Sequence, residues 1–345
     1  MSADAAGRLS ADAEWARSGP RVLRTAFAVA VAMWLAYWLK LPIGYIAPVL
    51  VITALGGLLD RFTIRTAVLM VVLVAVVAQA LTLLLTPVLG NRPAYLTIVG
   101  VALFFAYRLQ AHPKLAPVVA LTLPLLVMFG PLVPLSAGFA QGMAVLLMLL
   151  AGCAVTGVIL AWLVFPGPAA AASSAIPAAP RSAIDSAVSA AILVLLIALT
   201  LRFDAQSALR LLMIASTVLA AVDPRAGIKT AGMTMAATAA GVAGAFFIRN
   251  VTFIVQTPLM AGLMAALIVL GVGRRLTNPV TAQTASAGLV SLFVLIGGSG
   301  SVDDKKLVVF LLYTLGGIAI AIGLRHTLLW HLDRNARLAL APRIP

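Results

Sequence analysis

The chain has 345 residues, 63% of them hydrophobic and 10% charged, with a mean hydropathy of +1.11. A water-soluble surface needs about 25% charged residues, so a soluble fold is excluded. The net charge of +14 comes as ones and twos between apolar runs and never as a dense stripe; this argues against a nucleic-acid partner and makes the basic residues a topology signal. Cys153 is the single cysteine, which leaves no internal disulfide and no thiolate metal cage.

Residues 1–20 are polar, carry Asp4, Asp12 and Glu14, contain prolyl and glycyl breaks, and lack an apolar core with a cleavage site. They read as a retained cytoplasmic tail, and the first apolar run as an anchor. Apolar runs then follow at about 22–39, 41–59, 66–86, 94–107, 115–130 and 142–165, and again at about 184–201, 208–222, 229–248, 252–272, 280–298 and 306–329. Crossing ~30 Å of hydrocarbon takes ~20 helical residues, so the shorter runs predict little tilt, local thinning or broken helices. With the N-terminus inside, Arg8, Arg17, Arg21, Arg24, Arg61, Arg65, Arg108, Lys114, Arg181, Arg225, Lys229, Arg274, Arg275, Arg325, Arg334, Arg337 and Arg343 fall on the cytoplasmic side. Lys40, Arg92, Arg202, Arg210, Arg249, Lys305 and Lys306 fall opposite. That asymmetry predicts an even number of spans and two cytoplasmic termini.

Two parts of the chain read as copies. The stretch from Leu59 to Ala67, with Asp60, Arg61 and Arg65, aligns with Val222 to Ala231, with Asp223, Arg225 and Lys229, and His112-Pro113 after Arg108 aligns with Asn278-Pro279 after Arg274. Both matches lie about 163 to 166 residues apart, the mark of a duplication. An even number of spans per copy makes the repeats parallel. The predicted organisation is an all-α polytopic membrane protein of about twelve transmembrane helices in two parallel six-helix repeats. Residues 1–20 form the tail, 21–165 the first repeat, 166–180 a Pro, Ala and Ser linker, 181–330 the second repeat, and 331–345 a cytoplasmic C-terminal tail.

Enzyme signatures are scarce. Glu14 is the only glutamate, and His112, His326 and His331 all sit at span ends. No pair has metal-ligand spacing, and no Gly-rich phosphate loop is present, so neither catalysis, a metal, a cofactor nor ATP hydrolysis is expected. Charges near membrane spans are kept with a partner or a function. Asp60, Arg61, Asp223 and Arg225 are therefore candidates for coupling or gating, either as salt bridges locking a turn or as pairs that break during transport. Arg65 and Lys229, one turn into the next helix, are candidates for facing an anionic substrate, as is Arg24 at the head of the first span. In the ninth span Thr230, Thr234 and Thr238 recur every four residues, and Gly241 continues that face. They either line a polar passage or bond back to carbonyls one turn earlier. Gly232, Ala236, Ala240 and Gly244 form an opposite small-residue ridge that predicts a close helix contact. The eleventh span carries Thr281, Gln283, Thr284, Ser286 and Ser291, and its first-half counterpart carries Pro117 and Pro124. These two spans are the expected substrate route, with Gln283 and Thr284 as candidate contacts and Gln79 as a weaker one. Trp34, Tyr37, Trp38, Trp162 and Trp330 read as interface anchors.

The run from Arg21 through Arg24, Thr25 and Ala26, then Leu41-Pro42-Ile43-Gly44-Tyr45-Ile46-Ala47-Pro48, resembles the opening of the fusaric acid resistance and aromatic acid exporter family. The segment Arg225 to Gly232, with Ile228-Lys229-Thr230-Ala231-Gly232, resembles that family's Arg, Gly-Thr, Gly signature, with Lys229 where Gly is usual. The resemblance implies export of aromatic or other organic acids across the bacterial inner membrane, often with a separately encoded periplasmic adaptor protein. By match, Arg24, Thr25, Pro42, Arg225, Lys229, Thr230 and Gly232 would carry it. Gly56 to Arg65 is also similar to the loop motif of the major facilitator superfamily, with Thr63 and Ile64 as departures. The expected partners are a small organic anion, membrane lipid, possible adaptor and homo-oligomer contacts, and no nucleic acid. Alternatives to a gradient-driven exporter are a facilitator-type transporter, a passive anion channel akin to the plant aluminium-activated malate channels, and a scaffold subunit that does not transport.

Overall fold

The structure is a computed structural model that describes residues 3–53, 63–88, 90–110, 112, 119, 123, 125–127, 137–166, 182–200, 212, 215–216, 219, 232–233, 235–241, 243–245, 257–277, 281–297, 316, 319–320, 322–328 and 330, with side chains from Gly19 onward except at 64, 66, 67, 70, 137–140, 200, 274, 277, 283, 287 and 295–297. Among the described residues all regular structure is helical. The elements are α1 (Ala3–Trp38), α2 (Ile46–Thr53), α3 (Ile64–Leu85) with a 3-10 turn at Thr86–Val88, α4 (Arg92–Gln110), α5 (Ala137–Val164), α6 (Ala183–Thr200), α7 (Pro258–Thr277) and α8 (Ala282–Gly297). Further helical pieces include Met235–Ala245 and residues 322–328. Among the described residues, three segments, Val71–Val88, Arg92–Gln110 and Gln141–Val164, are long and apolar enough to cross a membrane.

Local chemistry sets the ends of these helices. Asn91 caps α4, accepting from the Ala94 amide at 3.2 Å; Thr257 caps α7 ahead of Pro258, accepting from Met260 at 3.4 Å. Helix α1 closes with Lys40 in the left-handed region at φ 53° while the Leu41 amide donates back to the Ala36 carbonyl at 3.0 Å, the bonding of a Schellman stop. At its other end α1 corrects the sequence reading. The glycyl and prolyl positions of the N-terminal tail do not break the chain, and Pro20 lies inside a continuous helix that starts at Ala3. Its fixed φ is helical, so it removes one backbone bond without forcing a stop.

The chain forms two compact units. Unit 1 comprises 1–79, 141–177 and 236–302, and unit 2 comprises 80–140, 178–235 and 303–345, so each draws on both halves of the sequence, and α3 contributes to both. In unit 1, α1 packs against α2 and α7, and α8 packs against α2 and α7. The alanines of α1 make this possible: Ala26, Ala28, Ala32 and Ala36 are buried. A Cβ on Gly157 of α5 would meet the Ala28 carbonyl oxygen, and one on Gly262 of α7 would come within 2.8 Å of the Ala30 oxygen. Gly273, further along α7, meets Val22, earlier in α1, so the two helices run antiparallel. Backbones this close gain dispersion and weak C–H···O contacts.

The outer face of α7 shows the complement. Leu259, Leu263, Leu267 and Leu270 are exposed on one stripe, while Gly262, Ala265, Val269 and Gly273 are buried on the other. On α3, Val68, Val72 and Val76 form a similar exposed row. Large apolar side chains outside and small ones inside is the pattern of helices solvated by hydrocarbon.

In unit 2, α4 packs against α6, with Gly100 of α4 within 3.1 Å of a Val194 methyl when given a Cβ. The Tyr107 hydroxyl, fully buried on α4, points at the Ser216 carbonyl at 3.5 Å.

Candidate functional site

Among the described residues, two buried arginines organise the polar chemistry, one in each unit. Arg24 sits on α1 with 1% of its surface exposed. Helix α5 ends at Val164, and the Phe165 carbonyl just past it, ahead of Pro166, needs a donor from outside the helix. Arg24 supplies one: its Nε donates to the Phe165 carbonyl at 2.9 Å, and its guanidinium carbon lies 4.0 Å from the centre of the Trp162 ring. A cation at a helix C-terminus is also favoured by the helix dipole. Phe27, one turn after Arg24, meets Phe165 edge to face with centroids 5.6 Å apart. The result is a buried guanidinium stacked on one indole face, with a Phe27–Phe165 ring pair formed by neighbouring residues of the same two helix ends.

In unit 2 the partner is a carboxylate. Ser182 caps α6, accepting from the Asp185 amide at 3.0 Å, which sets Asp185 in the first helical turn. Arg325 reaches it with Nε to Oδ1 at 2.9 Å and Nη2 to Oδ1 and Oδ2 at 2.8 and 3.0 Å, while Nη1 donates to the Leu219 carbonyl at 3.4 Å. Both side chains are buried, so this pair ties α6 to the helix around residue 325 in a low-dielectric setting.

The candidate residues read from the sequence are distributed as follows. Arg24, Arg65, Thr238 and Thr284 all belong to unit 1. Arg65 is exposed in the first turn of α3, Thr284 is half-buried on α8, and Gln283 lies on α8 with its side chain outside the described residues. Asp60, Arg61, Asp223, Arg225, Lys229, Thr230 and Thr234 lie outside the described residues, as do Pro117 and Pro124. Gln79 is exposed. Thr238 is fully buried and its Oγ1 makes no hydrogen bond, so it does not bond back to its own helix as Thr25, Thr97 and Thr156 do.

Two sequence expectations are corrected here. The small-residue ridge of the ninth span does not make the close contact, because Ala236 and Ala240 are exposed. The crossing runs instead through Ala237 and Gly241, where Gly241 meets the Gly288 carbonyl of α8 and Gly288 comes within 2.8 Å of the Ala237 oxygen. Of the two glycines of the predicted ridge, Gly244 approaches Leu292 of α8, where a Cβ would lie at 3.0 Å, and a Cβ on Gly232 would meet nothing within 4 Å. Glycine on the opposite face permitted the closer approach and decided the packing. Trp162 is likewise not a plain interface anchor, since its ring carries Arg24, whereas Trp34, Trp38 and Trp330 are exposed.

The Asp185 and Arg325 pair was missed. Its signals were present: Ser182-Ala183-Ile184-Asp185 has the spacing of a capping box, and Arg325 lies within an apolar run, where a charge needs a partner. No family model, curated protein or solved structure matches the chain.

Proposed function

We propose that the protein is a gradient-driven efflux transporter of small organic acids, aromatic ones above all, in the bacterial inner membrane. It uses about twelve spans in two parallel six-span repeats, with both termini cytoplasmic and a periplasmic adaptor as possible partner. The observation that carries this reading is Arg24: a guanidinium 1% exposed, over the Trp162 face and bonded to the Phe165 carbonyl at the predicted inner end of the first and sixth spans. A fixed cation beside aromatic faces suits an aromatic carboxylate, whose ring and charge need both kinds of neighbour. The exposed Arg65 adds positive charge at the same predicted side, and Lys229, Arg61 and Arg225 extend it, concentrating anions at the mouth. Thr230, Thr234, Thr238, Gln283 and Thr284 would offer hydroxyl and amide contacts along the route, and Asp60 and Asp223 would couple or gate it.

The duplication is supported by packing as well as by sequence. Gly262 meets α1 at Ala30 and Gly100 meets α6 at Val194; Gly262 follows Gly100 by 162 positions and Val194 follows Ala30 by 164. Unit 2 takes over at Asp303, 162 positions after unit 1 resumes at Gln141. In this reading each unit combines segments of one repeat with the complementary segments of the other. Chains split within 166–180 are therefore expected to complement when 1–172 and 173–345 are co-expressed, giving a co-purifying complex, while each half alone is degraded. A half that accumulates and purifies alone in folded form refutes the exchanged arrangement.

The function is tested by a susceptibility screen of a deletion strain against aromatic carboxylates at two external pH values. Hypersensitivity to several weak organic acids, relieved by the wild-type gene, is the expected outcome. Currents through reconstituted protein that follow the anion gradient without pH dependence mark a passive channel, and unchanged susceptibility to every acid removes the export reading.

A further inference from the structure

Arg325 enters the sequence reading only as a cytoplasmic-side cation and Asp185 not at all, yet they form a buried ion pair with side chains 4% and 3% exposed. Such a pair is weak evidence of added stability, because desolvating both charges offsets their attraction. Inside a membrane protein, buried charges are kept where they have work to do. The geometry is specific: Nε and Nη2 of Arg325 grip the two oxygens of a planar carboxylate as a fork. That fork takes any carboxylate, not only one on a side chain.

A second observation comes from Ser189. It lies four residues after Asp185 on the same face of α6, is fully buried, and its hydroxyl makes no hydrogen bond. Ser186 on the same helix bonds back to the Ser182 carbonyl at 3.1 Å; Ser189 has no equivalent bond. A buried donor left idle one turn from a buried carboxylate is costly unless something uses it.

We propose that Arg325 is a carboxylate-exchange site. The carboxylate of a monocarboxylic acid takes the Arg325 fork in place of Asp185, and the displaced Asp185 is received by the Ser189 hydroxyl and by the positive end of the α6 dipole. The exchange is one monoanion for another at the guanidinium, so it adds no net charge to the fork. Asp185 occupies the first turn of α6, where the helix dipole favours a carboxylate. The Leu219 carbonyl, accepting from Nη1, keeps the guanidinium oriented while its partner changes. Asp185 thus serves as a resident copy of the ligand's acid group, which makes the site select planar monocarboxylates over tetrahedral dianions. The inference rests on the export reading for its purpose but not for its measurement.

The test uses full-length protein in detergent with radiolabelled benzoate, and benzamide as the uncharged control. Asp185→Asn keeps the shape of the side chain and removes the internal competitor; it is expected to bind benzoate at least 10-fold more tightly than wild type and to ignore benzamide. Arg325→Gln is expected to lose benzoate binding. Ser189→Ala, a mild change, is expected to weaken benzoate binding several-fold in the wild-type background and to have no effect in the Asp185→Asn background, where no carboxylate needs receiving. Benzoate affinity unchanged in a folded Asp185→Asn protein overturns the proposal, and so does an unchanged affinity in Ser189→Ala, which remains measurable if Asp185→Asn does not fold. A deletion strain insensitive to acids removes the export reading and leaves these binding results standing.

Discussion

Arg24→Ala is expected to abolish the protection that the wild-type gene gives a deletion strain against aromatic acids, and Arg24→Lys to leave normal amounts of protein yet lower protection by at least ~10-fold. The two variants separate fold from use. Arginine holds three surroundings together at this point: the last carbonyl beyond α5, the Trp162 face and the packing of α1. Removing it costs a hydrogen bond to a charged group, about 1.5–3 kcal/mol, and a desolvated cation–π contact, about 2 kcal/mol. Alanine also leaves the Phe165 carbonyl without its guanidinium donor, so part of its effect is loss of folded protein. Lysine keeps the charge and can reach one of these partners, but it has no planar fork to stack on Trp162 while donating sideways. Membrane abundance measured beside the acid susceptibility distinguishes the cases, and protection by Arg24→Lys equal to wild type eliminates a role for guanidinium geometry.

Sequence carried the all-helical class and several of the apolar helices, because both are written in composition and run length. The predicted runs at about 66–86, 94–107, 142–165 and 184–201 coincide closely with α3, α4, α5 and α6, where one apolar stretch makes one helix. What sequence did not carry is which face packs. In the ninth span two small-residue faces compete, and Gly288 on α8 settles the choice for Ala237 and Gly241 over Ala236 and Ala240. That decision belongs to the partner helix, more than 40 residues away in the chain. The same limit explains Arg325, which sat near a span end and so matched the rule for cytoplasmic arginines. Its partner Asp185 lies 140 residues distant. Arg24 was legible as a candidate, but its aromatic surroundings were not, because Trp162 and Phe165 reach it only after α5 folds back along α1.

Gly157→Leu is expected to yield no folded protein, while Gly152→Ala on the same helix is expected to be harmless or mildly stabilising. Helix α5 meets α1 at Gly157, where an added Cβ would collide with the Ala28 carbonyl oxygen and lie 3.3 Å from the Ala32 nitrogen. Both are backbone atoms, so no rotamer change relieves the clash, and even Gly157→Ala should cost about 1–3 kcal/mol as overpacking. Leucine must push the helices apart, which opens the contact and carries Phe165 away from Arg24. At Gly152 a Cβ meets nothing within 4 Å, and alanine there gains about 0.5–1 kcal/mol because it narrows the conformational freedom of the unfolded chain while fitting the helix. Both variants keep α5 apolar, so membrane insertion is matched and the difference reports packing alone. Thermal melting in detergent and the monodisperse fraction on size exclusion read it out: a Gly157→Leu protein as stable as Gly152→Ala would mean that α1 and α5 do not touch at this glycine, and the seat of Arg24 would go with that contact.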